Sequence, residues 1–178
     1  MGSFRAFIKA RSPHKWLYTH RTGKWDAFYS PEVQALTRRF MDCFLKGETS
    51  NGFLDQPPVR LEVRSSRDEI HDIRDENEWP LARTDYQTLY LTEQSSLSLN
   101  RPAAASEITY SATQGQVTFQ YAFAEATELT GYMKLRLWVE ARPGQNQRDS
   151  PDDMGIFVAI NKRDRHQQSV PFYGSVGN

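Results

Sequence analysis

The chain has 178 residues, 38% hydrophobic and 12% aromatic, which suits a packed core rich in rings and argues against disorder. Lys+Arg and Asp+Glu both number 22, so the formal net charge is zero, with no electrostatic reason to expect nucleic acid or an anionic membrane as partner. No apolar run approaches the ~20 residues that span a bilayer, the N-terminus has no signal-peptide core, and the single Cys43 excludes an internal disulfide or a Cys-based zinc site.

In chain order the first part reads as helix, strand, helix. "SFRAFIKA" is a short amphipathic helix with Phe4, Phe7 and Ile8 on one side, and "KWLYT" is a brief strand entered after Pro13. "SPEVQALTRRFMDCFLKG" carries the clearest helix signal. Ser30 suits the N-cap, Pro31 the first helical position and Gly47 the left-handed residue past the end. Val33, Leu36, Phe40, Cys43 and Phe44 form the apolar stripe, which makes Cys43 a buried inert thiol. "GETSNGFLDQPP" is a turn-rich connector and marks a domain boundary.

From Val59 on, the hydrophobic period changes to two. "VRLEVRS", "YQTLYL", "EITYS", "QVTFQYAF", "MKLRLWVEA" and "GIFVAI" read as strands, with Phe119 and Leu137 among the expected core positions. Strand after strand without an intervening helix predicts an antiparallel sandwich or jelly roll. No internal repeat is visible.

A serine hydrolase needs a nucleophile on a strained turn, commonly G-x-S-x-G. "YGSVGN" is not such a turn, since Ser175 directly follows Gly174, and no other serine has the right flanks. The chain therefore offers no nucleophile of its own. His20, in "KWLYTHRTGKW", lies just past the strand expected over "WLYT", where doubly wound α/β enzymes place their working groups. It can serve as a general base there, or pack between Trp16 and Trp25; residue statistics alone favour packing or surface.

His14 sits at the strand's amino end. His71 lies in the charged "RDEIHDIRDENE", read as a solvated connector, and His166 in "KRDRHQQS", read as a hairpin loop. No two histidines have metal-ligand spacing, and "DSPDD" lacks a calcium-loop pattern, so neither a metal nor a cofactor is expected. Trp138 stands among Lys134, Arg136 and Glu140; it suits an interface with a neighbouring domain better than a sugar platform.

Several stretches together carry a family likeness. "NEWPLARTDYQTLYL", "TELTGYMKLRLWVEA" and "DDMGIFVAINKRD" resemble the C-terminal jelly-roll domain of the cocaine esterase and X-prolyl dipeptidyl-peptidase (CocE/NonD) family of acyl hydrolases. Upstream, "KWLYTHRTGKWDAFYSPEVQALTRRFMDCFLKG" and "NGFLDQPPVRLEV" are similar to that family's passage out of its α/β-hydrolase domain.

The resemblance implies a mixed, mainly β chain. Residues 1–50 would be the helix-strand-helix tail of an α/β-hydrolase domain, and residues 51–178 an antiparallel, galactose-binding-like jelly roll cut short at its C-terminal end. It implies a parent serine hydrolase acting on a small ester or peptide substrate through a Ser-Asp-His triad, with His20 in the histidine's place. Many relatives carry Gly-Pro-Trp-x-His where this loop reads "THRTGKW". The Ser and Asp would precede Met1, so this chain alone would be inactive. The alternative is a non-catalytic binding or scaffold module built on the jelly roll. Homo-oligomerisation stays open, and a lone cysteine without a visible signal fits the cytoplasm.

Overall fold

A computed structural model describes residues 2–113, 115–144 and 152–172. By internal packing the chain divides into two compact units, Met1–Leu81 with Tyr132–Asn178, and Ala82–Gly131.

The first unit begins with helix α1, Gly2–Lys9, whose Phe4 and Phe7 pack against the core. Strand β1, Leu17–Tyr18, follows, then a short helix α2, Lys24–Phe28, that hydrophobic periodicity did not reveal. Five residues hold too little of a 3.6-residue pattern to be read from sequence. Helix α3, Pro31–Lys46, is capped as its sequence dictates. The Ser30 hydroxyl accepts the Val33 amide at 3.3 Å, and Gly47 closes the helix at φ 75°. Cys43 is buried. Phe40 and Phe44 enter a ring cluster with Trp16 and Phe53, in which Trp16 and Phe53 lie 4.7 Å apart.

The connector after α3 is tied down. Arg39 Nη2 donates to the Gly52 carbonyl at 2.7 Å, Asn51 Nδ2 donates to the Arg39 carbonyl at 2.8 Å, and Phe53 is buried.

Strands β2, Val59–Arg64, and β3, Ile70–Glu76, complete a three-stranded sheet in the order β1-β2-β3. β1 runs parallel to β2, with Leu17 opposite Val59 and Tyr18 opposite Arg60; β2 and β3 are antiparallel. Alternation sorts the two faces. Leu17, Val59 and Leu61 turn toward α1 and form the core with Trp79 and Leu81, each such side chain worth roughly 1.5–3 kcal/mol of burial. Tyr18, Arg60 and Glu62 turn the other way, toward α3.

β3 corrects the reading of "RDEIHDIRDENE" as a connector. Its inward row is ionic: Arg74 Nε lies 3.3 Å from Glu76 and 3.8 Å from Asp72. A strand paired by charges has no hydrophobic alternation to betray it. The hairpin of β6, Lys162–Arg163, and β7, Ser169–Val170, encloses "DRHQQ" as expected and docks on the β2–β3 turn, with Lys162 Nζ on the Ser65 carbonyl at 2.7 Å and the Arg67 amide on the Pro171 carbonyl at 2.7 Å.

The second unit is built on β4, Tyr90–Leu91, and β5, Leu97–Ser98, an antiparallel pair. The Leu97 amide donates to the Gln120 carbonyl at 2.8 Å, which anchors the returning chain.

The result is a mixed, mainly β fold of small sheets. Residues 117–123, 133–141 and 155–160, expected as strands, form none among the described residues, apart from the single bridge at Gln120. A strand needs a neighbour to take its N–H and C=O groups; among the described residues 117–123 meets a strand only where Gln120 bonds to Leu97 of β5, and 133–141 and 155–160 pair with none. Their alternating faces are consequently open: Leu135 is 50% exposed, Leu137 39% and Phe157 98%, while Phe119 is half-buried. Phe119 and Leu137 are thus not core positions here. Ser175 and most of "DSPDD" lie outside the described residues.

Candidate functional site

His20 leaves the sheet two residues past the carboxyl end of β1, and the chain around it is fixed closely. Thr19 is the anchor. Its amide donates to the Arg60 carbonyl at 3.1 Å, its hydroxyl accepts the Glu62 amide at 2.7 Å, and its carbonyl accepts Arg60 Nη1 at 2.9 Å. Arg60 also lies over the Tyr18 ring, 4.4 Å from its centroid, and the Tyr18 hydroxyl donates to Glu32 Oε1 at 3.0 Å. This ties β1, β2 and the first turn of α3 together. Burial pushes the Tyr18 phenol above its ordinary value, and its bond to Glu32 adds to the rise.

The His20 ring is exposed, and its Nδ1 is 3.1 Å from the Thr22 carbonyl oxygen. With the proton on Nδ1, that carbonyl accepts it and the Nε2 lone pair faces outward, the tautomer a general base needs. In a catalytic triad a carboxylate accepts this Nδ1 proton; among the described residues a backbone carbonyl does so. The two neighbouring tryptophans are engaged elsewhere, Trp16 in the Phe40–Phe44–Phe53 cluster and Trp25 stacked on Tyr29 at 6.1 Å.

A cleft of about 660 Å³ runs along the outer edge of β1, lined by Phe7 of α1 and Ala10 just past it, by His14 and Trp16, and by Leu36 and Phe40 of α3. β1 is an edge strand, with no strand on this side among the described residues. Residues of both α1 and α3 line the cleft. His14, not His20, borders it, with its ring stacked on Trp16 at 6.2 Å. His71 is exposed on β3, and His166 sits in the β6–β7 turn, where Arg165 Nε donates to its Nε2 at 3.0 Å. The four histidines are not brought together.

Sequence reading missed Thr19, Arg60 and Glu32. A parallel pairing across forty residues leaves no periodic mark, and only the outward alternation of Arg60 and Glu62 along β2 hinted at a polar face there.

Residues 51–174 match the X-Pro dipeptidyl-peptidase C-terminal non-catalytic domain, and the chain belongs to that family. Two crystal structures of a CocE/NonD family hydrolase from Staphylococcus aureus are similar to it at 33% identity, with TM-scores of 0.53 and 0.54. The match covers 58% of this chain and 18% of that hydrolase, so the chain corresponds to less than a fifth of its length. No curated protein matches the chain. No helix among the described residues is long and apolar enough to cross a membrane.

Proposed function

We propose that the chain is the C-terminal part of a serine acyl hydrolase that cleaves small esters or peptides, with residues 1–50 finishing its α/β-hydrolase domain and residues 51–178 contributing most of a galactose-binding-like jelly roll. The observation that carries this reading is the open edge of β1, set between α1 and α3 and ending at His20. A parallel strand flanked by helices on both faces is how an α/β sheet is layered, and its working groups leave at the strands' carboxyl ends.

In that setting His20 is the general base. Nε2 takes the proton of a serine hydroxyl and later returns it to the leaving group, while the triad acid shares the Nδ1–H that the Thr22 carbonyl accepts in this chain. The nucleophile and the triad acid would come from upstream sequence. The chain alone then holds a base with nothing to activate.

A second reading, a non-catalytic binding or scaffold module, draws support from the family's own description as non-catalytic and from Trp138, 86% exposed. The two separate in one experiment. Under the hydrolase reading the isolated chain shows no turnover of a p-nitrophenyl ester and no serine labelling by a fluorophosphonate, while the same chain expressed with its upstream in-frame sequence, carrying a G-x-S-x-G elbow, shows both. An upstream frame without that elbow, and no activity from the longer product, leaves the module.

A further inference from the structure

We propose that Thr19 and Arg60 are positioning residues that set the His20 ring, an inference that rests on reading His20 as the general base. Their geometry departs from an ordinary parallel ladder. Leu17 and Thr19 donate their amides to the Pro58 and Arg60 carbonyls at 2.8 and 3.1 Å, as the register requires. A ladder continued one step further would place the Glu62 amide on the Thr19 carbonyl. Instead the Thr19 hydroxyl takes that amide at 2.7 Å, and the displaced carbonyl turns to Arg60 Nη1 at 2.9 Å.

A side chain thus finishes the ladder, and the main chain is released from the sheet one residue before His20. The Thr19 hydroxyl also points back to the Arg60 carbonyl at 3.3 Å, so both its donor and its acceptor capacity are used. Arg60 is held in turn by Tyr18, whose hydroxyl is fixed by Glu32. From this pinned exit the chain reaches Thr22, whose carbonyl orients the ring. The strand supplying the clamp, β2, lies within residues 51–174, the part that matches the non-catalytic domain. That domain therefore acts on the chemistry by holding the base's loop, without touching substrate.

The clamp predicts a tautomer. Held as described, neutral His20 carries its proton on Nδ1; an imidazole free in water favours Nε2–H. Long-range ¹H–¹⁵N correlations of the 178-residue chain read this directly. Wild type should show Nδ1–H. Thr19→Val, which keeps the shape and removes the hydroxyl, should shift His20 toward Nε2–H and speed exchange of the Glu62 amide about tenfold, as loss of one hydrogen bond does. Thr19→Ser should restore both.

Should Thr19→Val fail to fold, Arg60→Met, which keeps an apolar stem on Tyr18, is expected to give the same tautomer shift. A tautomer unchanged in the folded variant overturns the clamp. In the longer hydrolase, Thr19→Val should lower kcat with KM unchanged, and Thr19→Ser should recover it. The outcomes separate the two readings: His20→Ala with full kcat sinks the base, while a tautomer indifferent to Thr19 sinks the clamp and leaves the base standing.

Discussion

Ser30, Gly47 and Cys43 do what their local chemistry dictates, because a cap or a buried stripe position depends on a few near neighbours. Ser30→Ala should cost about 1 kcal/mol in a chemical melt, since the Val33 amide loses its partner. A loss below about 0.2 kcal/mol would show that water serves the amide equally well. Tyr18 gives a pH signature. Its folded pKa is raised from the ordinary value of 10.0, first by burial and then by its bond to Glu32. Such a group stabilises the fold fully below its unfolded pKa, and that contribution is lost as pH rises through the folded value. Stability should therefore fall above about pH 10, and Tyr18→Phe should shallow that fall; identical alkaline limbs would mean that Tyr18 ionises as freely folded as unfolded. At this scale His20's address was legible, but Thr19 was not. Its hydroxyl matters only because β2 arrives alongside, and no residue near it in sequence announces that.

Whether an element could be read depended on what it pairs with. α3 and β2 carry their own periodicity, and both form as expected. β3 pairs through Asp72, Arg74 and Glu76, so its charges looked like solvated loop. The segments at 133–141 and 155–160 show the opposite failure: the alternation is present, but alternation states only which face would be buried once a neighbour exists. Two substitutions measure this contrast. Val59, fully buried between β1 and β3, should cost about 1.5–3 kcal/mol when cut to Ala. Leu137→Ala, at a 39% exposed position, should cost less than about 0.5 kcal/mol in this chain. A loss of about 2–5 kcal/mol at Leu137 would show its face buried, as a packed sandwich requires.

Across the whole molecule, the turn-rich stretch at 47–58, read as a connector at a domain boundary, is held against α3 by Arg39 and Asn51, and Phe53 is only 3% exposed. Chymotrypsin should therefore cut after Tyr110, 53% exposed in a stretch without strands, before it cuts after Phe53; first cleavage at Phe53 would make the connector a true hinge. The family was legible because its motifs recur in order along most of the chain, and residues 51–174 match it. The acyl group or peptide was not legible, since a specificity pocket is assembled from several elements, and the chain corresponds to 18% of the hydrolase it resembles.

The proposal that His20 is the general base of a longer hydrolase meets its most direct test in steady-state kinetics, on a p-nitrophenyl ester, of this chain expressed with its upstream in-frame sequence. His20→Ala should lower kcat by about 10³ or more, because the base serves both acylation and deacylation, and should leave KM nearly unchanged. His14→Ala, at the other end of β1, should turn over like wild type. A His20→Ala enzyme that keeps kcat within about twofold would contradict the assignment and leave His20 as an exposed loop residue resting on Thr22.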